Sequence, residues 1–171
     1  ELLRARFPTQ PIEAINCGVG GETASDGAVR LPSALSLTGP DVVLVLHGAN
    51  DFTAIAQAGG TASTAVAQVS GAISSMIRQA RGPRAVFVAT LLPQRPGGKA
   101  PRPEWVEPVN TRLRTLVPAE GAVLVDLYRA LGSAADPYID TDGLHPTLEG
   151  HRRIAEAFAE AIRAHLERAP Q

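Results

Sequence analysis

Asp142-Gly143-Leu144-His145-Pro146 sets a carboxylate and an imidazole three residues apart, just ahead of a helical pattern. An imidazole takes a proton from a hydroxyl efficiently only when its far nitrogen is held in one tautomer. A neighbouring carboxylate does this, and it also stabilises the imidazolium that forms. Taken alone, the spacing reads more readily as a turn, with Asp142 beside Gly143 and His145 at a helix entrance before Pro146. Two upstream groups shift that weighing. Gly21 closes the run Gly18-Val19-Gly20-Gly21, where bare backbone can approach a ligand and offer an N–H to a developing oxyanion. Asn50, in Gly48-Ala49-Asn50-Asp51, can add a side-chain N–H to the same oxygen. Each group also has a plain structural use, Gly21 as a tight turn and Asn50-Asp51 as a turn and helix cap.

Positioning these groups falls to an alternation of short apolar runs and longer helical patterns. Ile12 to Cys17 reads as a short strand that ends in the glycine-rich turn. Ala24, Ala28, Leu31 and Leu35 recur at helical spacing from Glu22 to Leu37, with Gly27 and Pro32 as irregularities. Asp41 to Leu46 is nearly all Val and Leu, which suits a parallel strand covered on both faces. Thr61 to Arg81 carries Val66, Val69, Ile73 and Ile77 on one stripe. Ala85 to Thr90 is a further strand, followed by a Pro- and Gly-rich loop from Pro93 to Pro103. Glu104 to Val117 is helical, Val123 to Leu127 is a fourth strand, and Thr147 to Arg168 is an amphipathic helix through Ile154, Ala155, Phe158 and Ile162. Such alternation predicts an α/β sandwich with a mainly parallel sheet. In open parallel sheets ligands sit at the carboxyl ends of the strands, and Gly21, Asn50, Asp142 and His145 all fall in loops of that kind.

Composition narrows the classes. At 171 residues, 44% of them hydrophobic, the chain is sized for one domain with a full core. Sixteen Lys and Arg against seventeen Asp and Glu give a net charge of −1, which supplies no basic field for nucleic acid. A single cysteine, Cys17, excludes an intrachain disulfide and a cysteine-based zinc site, and it does not fix the compartment. No apolar run approaches the ~20 residues of a membrane span. A metal site from Asp140, Asp142, His145 and His151 is a poor fit, since His151 would lie about a turn and a half inside the helix.

The series Asn16-Cys17-Gly18-Val19-Gly20-Gly21-Glu22-Thr23, then Gly48-Ala49-Asn50-Asp51, then Asp142-Gly143-Leu144-His145-Pro146 resembles the second, third and fifth sequence blocks of the GDSL or SGNH hydrolases. The resemblance spans nearly the whole chain, in order and in spacing. It implies a three-layer α/β/α sandwich of flavodoxin-like type, hydrolysis of a small-molecule ester or thioester through an acyl-serine intermediate, and no metal or organic cofactor. Gly21 and Asn50 would be oxyanion donors, His145 the general base and Asp142 its orienting carboxylate; His47 takes no role from it. The family's nucleophile lies in a Gly-Asp-Ser-Leu-like block at the end of a central first strand, and nothing like that block occurs between Glu1 and Gln171. The resemblance therefore implies a single domain, truncated at its N-terminus, whose serine lies upstream of residue 1.

Within the chain, Ser25, Ser33 and Ser36 fall in or near the first helical pattern, with no strained turn to expose them. Cys17 stands at a strand end but is expected to be a buried, inert thiol. Three functional classes stay open: an acyl hydrolase, a non-catalytic relative that binds acyl or carbohydrate ligands, and a nucleotide- or flavin-binding sandwich. The last lacks both the three-glycine dinucleotide spacing and the P-loop lysine. Acetylated sugars, lysophospholipids, short acyl esters and thioesters are all admissible substrates. The loops Phe52 to Gly60 and Leu92 to Trp105 would shape the pocket, with Phe52 and Trp105 as its aromatic candidates, Trp105 reading at least as readily as a core anchor at a helix N-terminus.

Overall fold

The computed structural model describes residues 1–81, 85–96, 98–132 and 137–167. Among them three strands, Val42–Val45 (β1), Ala85–Ala89 (β2) and Val123–Val125 (β3), form a parallel sheet in the order β1-β2-β3. Val43 lies opposite Val86, and Val88 opposite Leu124. The helices are α1 (Leu2–Arg6), α2 (Ala24–Thr38), α3 (Asp51–Gln57), α4 (Ala62–Gln79), α5 (Val106–Ala119), α6 (Leu127–Leu131) and α7 (Leu148–Leu166). The predicted end of the last helix, Arg168, lies outside the described residues.

Successive side chains on a strand point to opposite faces, so the sheet makes two cores. Val43, Val45, Val86 and Val88 meet α2, α4 and α5 on one face. Phe87, Ala89 and Val125 meet Phe158 and Ile162 of α7 on the other. This is the expected α/β sandwich. α4 begins where Thr61 and Thr64 form a reciprocal capping box, and it buries Val69, Ile73 and Ile77 along its predicted stripe. α7 begins at Thr147, whose hydroxyl accepts the Gly150 N–H at 3.1 Å. A side chain at Gly150 would run into the Tyr138 carbonyl, so glycine lets α7 seat against the segment that carries Asp142 and His145. α2 runs through Pro32 from a Thr23–Asp26 capping box to a left-handed Gly39 (φ +53°).

Five expectations need correction. Ile12–Cys17 forms no strand, because a strand exists only where a neighbour completes its hydrogen bonds and none does so among the described residues. Cys17, left uncovered by any sheet, is consequently exposed rather than buried. The expected loop from Phe52 opens instead as helix α3, and the strand at Val123 stops at Val125, where Asp126 accepts the Arg129 N–H at 3.2 Å and starts α6. Continuous apolarity in β1 does not mean cover on both faces. Val43 and Val45 are buried, whereas on the α7 side only Val42, partly buried, packs against the core and Leu44 is 50% exposed. Among the described residues nothing pairs with the outer edge of β1.

Candidate active site

Asp142 and His145 come together, and Asn50 meets the turn that contains Gly21. Asp142 Oδ2 lies 2.6 Å from His145 Nδ1, while Asp142 Oδ1 accepts the backbone N–H groups of Leu144 at 2.9 Å and His145 at 3.0 Å. The turn itself makes these bonds, with Gly143 supplying a left-handed φ of +80° that only glycine adopts freely. The backbone N–H of His145, the imidazole and the Leu144 N–H, in that order, hold the Asp142 carboxyl well below the usual carboxylate range. Lys99 Nζ stands 3.8 Å from Asp142 Oδ2. A carboxylate bonded at Nδ1 fixes the imidazole tautomer and leaves Nε2 as the acceptor. The ring is 55% exposed, and no hydroxyl or thiol among the described residues is bonded to Nε2.

The second pair forms at the carboxyl end of β1. Val19 and Glu22 close a turn through Glu22 N–H to Val19 O at 3.3 Å, with Gly21 at φ +80°. Asn50 Nδ2 donates to the Glu22 carbonyl at 3.0 Å. That bond uses one of the two amide hydrogens and orients the other, and the backbone N–H of Gly21 has no acceptor among the described residues. Asn50 thus meets the turn that contains Gly21, and each of the two residues keeps an N–H without an acceptor among the described residues.

A half-buried polar cluster, which sequence reasoning missed, holds this turn. Arg30 donates to both Glu22 carboxylate oxygens at 2.7 and 2.8 Å and to the Cys17 carbonyl at 2.9 Å. This clasp keeps the Glu22 carboxyl below its ordinary range. His47 Nε2 lies 3.6 Å from Glu22, and burial pushes the imidazole down, favouring its neutral form. Asp51, 3% exposed, accepts the Ala24 N–H at 2.8 Å, tying α3 to the start of α2, and burial pushes its carboxyl up. Glu22 and Asp51 stand next to Gly21 and Asn50 in the sequence, but no spacing links them to Arg30 or His47.

Phe52 and Trp105 are placed differently from a pocket wall. Phe52 is fully buried and Trp105 is 6% exposed, with their rings edge to face at 5.7 Å between centroids inside the core. A large ring directly after Asp51 gains more from the core than from solvent, and there it anchors the helix that follows Asn50. Ser25, Ser33 and Ser36 are exposed along α2.

Comparison with known proteins gives the family and the fold. The model of the GDSL-like Lipase/Acylhydrolase family matches residues 1–153. The fold is similar to that of a lipase/acylhydrolase from Enterococcus faecalis, at 22% identity and a TM-score of 0.77 over 96% of this chain and 84% of that one. It is similar to Axe2, an acetylxylan esterase from Geobacillus stearothermophilus, at 19% identity and a TM-score of 0.77 over 94% and 77%. The psychrotrophic esterase EstA from Pseudoalteromonas sp. gives 19% identity and a TM-score of 0.70 over 97% and 86%. No curated protein matches the chain. With its family model covering most of its length, this chain belongs to the GDSL-like lipase/acylhydrolase family.

Proposed function

We propose that the protein is a serine-type hydrolase of carboxylic esters that works through an acyl-serine intermediate. The observation that carries this is the 2.6 Å contact of Asp142 with His145 Nδ1 on a ring whose other nitrogen is unclaimed. In the reaction, a serine hydroxyl gives its proton to His145 Nε2 as its oxygen bonds to the acyl carbon. The resulting oxyanion takes the Gly21 N–H and the second Asn50 N–H. His145 then returns the proton to the departing alcohol oxygen, and water, deprotonated by the same imidazole, releases the acid. Asp142 stays ionised throughout.

The serine itself is assigned upstream of residue 1, on a strand beside β1. The unpaired edge of β1 and the half-exposed Leu44 on its uncovered face support that assignment, since a flat apolar edge is a poor surface to leave open. Short acyl esters, acetylated sugars, lysophospholipids and thioesters are the substrate classes to screen. A non-catalytic acyl- or carbohydrate-binding domain is the second reading, favoured by the absence of a hydroxyl at His145 Nε2 among the described residues. Nucleotide binding at Gly18–Gly21 is disfavoured by the lack of the three-glycine dinucleotide spacing and of a P-loop lysine.

The test is labelling by a serine-reactive phosphonate together with turnover of a short-chain ester. The intact protein should do both and lose both in His145→Ala. Residues 1–171 alone should be poorly soluble and inert to the probe. A soluble, monomeric, labelled product from those residues would overturn the upstream assignment of the serine.

A further inference from the structure

The dyad loop is held from outside. Its own bonds close it at the base, through Asp140 N–H to His145 O at 2.8 Å and Thr147 N–H to Tyr138 O at 2.9 Å. Nothing but Asp142 binds the His145 ring among the described residues, so the position of the imidazole follows that of the loop backbone. That backbone is gripped by the loop after β2. Arg95 Nη2 donates to two successive carbonyls, Ile139 O at 2.6 Å and Asp140 O at 2.5 Å, and the Arg95 backbone N–H donates to Gly143 O at 2.9 Å. Lys99 N–H adds a bond to Asp142 O at 2.9 Å. Gly98 (φ +53°) lies so near the Asp142 backbone that a side chain there would collide with it. Carbonyls 139, 140, 142 and 143 are therefore all fixed by one neighbouring segment.

We infer that Arg95 is a positioning residue for the Asp142–His145 dyad, setting where the imidazole stands through the carbonyls of Ile139 and Asp140; this rests on the hydrolase reading of the dyad. Two carbonyls one peptide apart suit a guanidinium, whose planar N–H groups are fixed relative to one another and whose charge strengthens both bonds. A misplacement of about 1 Å in a reacting group costs roughly 10²-fold in rate, so a brace of this kind acts on turnover more than on binding.

The experiment uses the intact protein with Arg95→Met, Arg95→Lys and Gly98→Ala. It reads kcat and KM on a short-chain ester, and the NMR signal of the His145 Nδ1 proton held by Asp142. Arg95→Met is expected to lose roughly 10-fold to 10²-fold in kcat with KM within about twofold, and to broaden or shift the Nδ1 signal. Arg95→Lys, which keeps the charge, should recover part of both. Gly98→Ala, which pushes Asp142 from the other side without touching Arg95, should show the same pair of changes and decides the matter if Arg95→Met does not fold. Folded variants with wild-type kcat and an unchanged Nδ1 signal would overturn the inference. Wild-type protein without ester turnover would sink the hydrolase reading, while the Nδ1 signal would still test the brace.

Discussion

Asn50→Ala separates chemistry from architecture at a single side chain. In the resting protein the Asn50 amide makes one bond, to the Glu22 carbonyl at 3.0 Å, a bond worth about 0.5 to 1.5 kcal/mol of stability. For a domain of this size that is a fall of roughly 1 to 6 °C in melting temperature. In the transition state of the proposed reaction the remaining N–H would meet an oxyanion, and its loss should cost ~10²-fold to 10³-fold in kcat, equivalent to about 2.7 to 4 kcal/mol. Because the donor acts on charge absent from bound substrate, KM should move little. The assay is turnover of a short-chain ester per folded molecule, paired with a thermal melt. Asn50→Asp is the companion variant, equal in size but presenting an oxygen where the N–H was, and it should be at least as slow. A lowered melting temperature with unchanged kcat would show that Asn50 only holds the Glu22 turn.

Three further outcomes follow from other contacts. His145→Ala should remove nearly all ester turnover and Asp142→Asn should lower kcat by roughly 10⁴-fold with little change in KM, since a neutral amide at the Nδ1 contact favours the wrong tautomer; wild-type kcat/KM in His145→Ala would end the assignment. Asn110, fully buried, accepts the Leu91 N–H at 2.7 Å and donates to the Leu91 carbonyl at 3.0 Å, so Asn110→Leu orphans both groups and should cost about 2 to 5 kcal/mol in urea unfolding. A loss below about 0.5 kcal/mol would show that the Leu91 peptide finds other partners. Burial holds His47 below its ordinary 6.5, so between that value and its folded one the unfolded chain binds the extra proton. The contribution of a neutral His47 is thus complete above 6.5 and lost as pH falls through the folded value. His47→Gln should flatten that part of the stability–pH curve, and an unchanged slope would place the titration elsewhere.

What the sequence determined by itself is local. The Asp142 turn needs only Gly143 and its own backbone N–H groups, and α4 and α7 need only their threonine caps and apolar stripes, so spacing and residue type reveal them. The same holds for β2, where a short Val- and Phe-rich run between breakers is apolar on both faces because both are covered. Contacts between distant segments were decided by tertiary structure. Ile12–Cys17 has strand-like residues but no partner, and hydrogen bonding across the sheet is what turns an extended run into a strand. β1 reads as doubly covered, yet cover depends on where α7 lands. Phe52 and Trp105 are aromatics beside a polar loop in sequence and core residues in space. Arg95, Arg30 and Glu22 have no local signature, because the carbonyls and carboxylate they serve are brought to them by the packing of loops from different strands, and only the folded chain decides which charged side chain reaches which peptide.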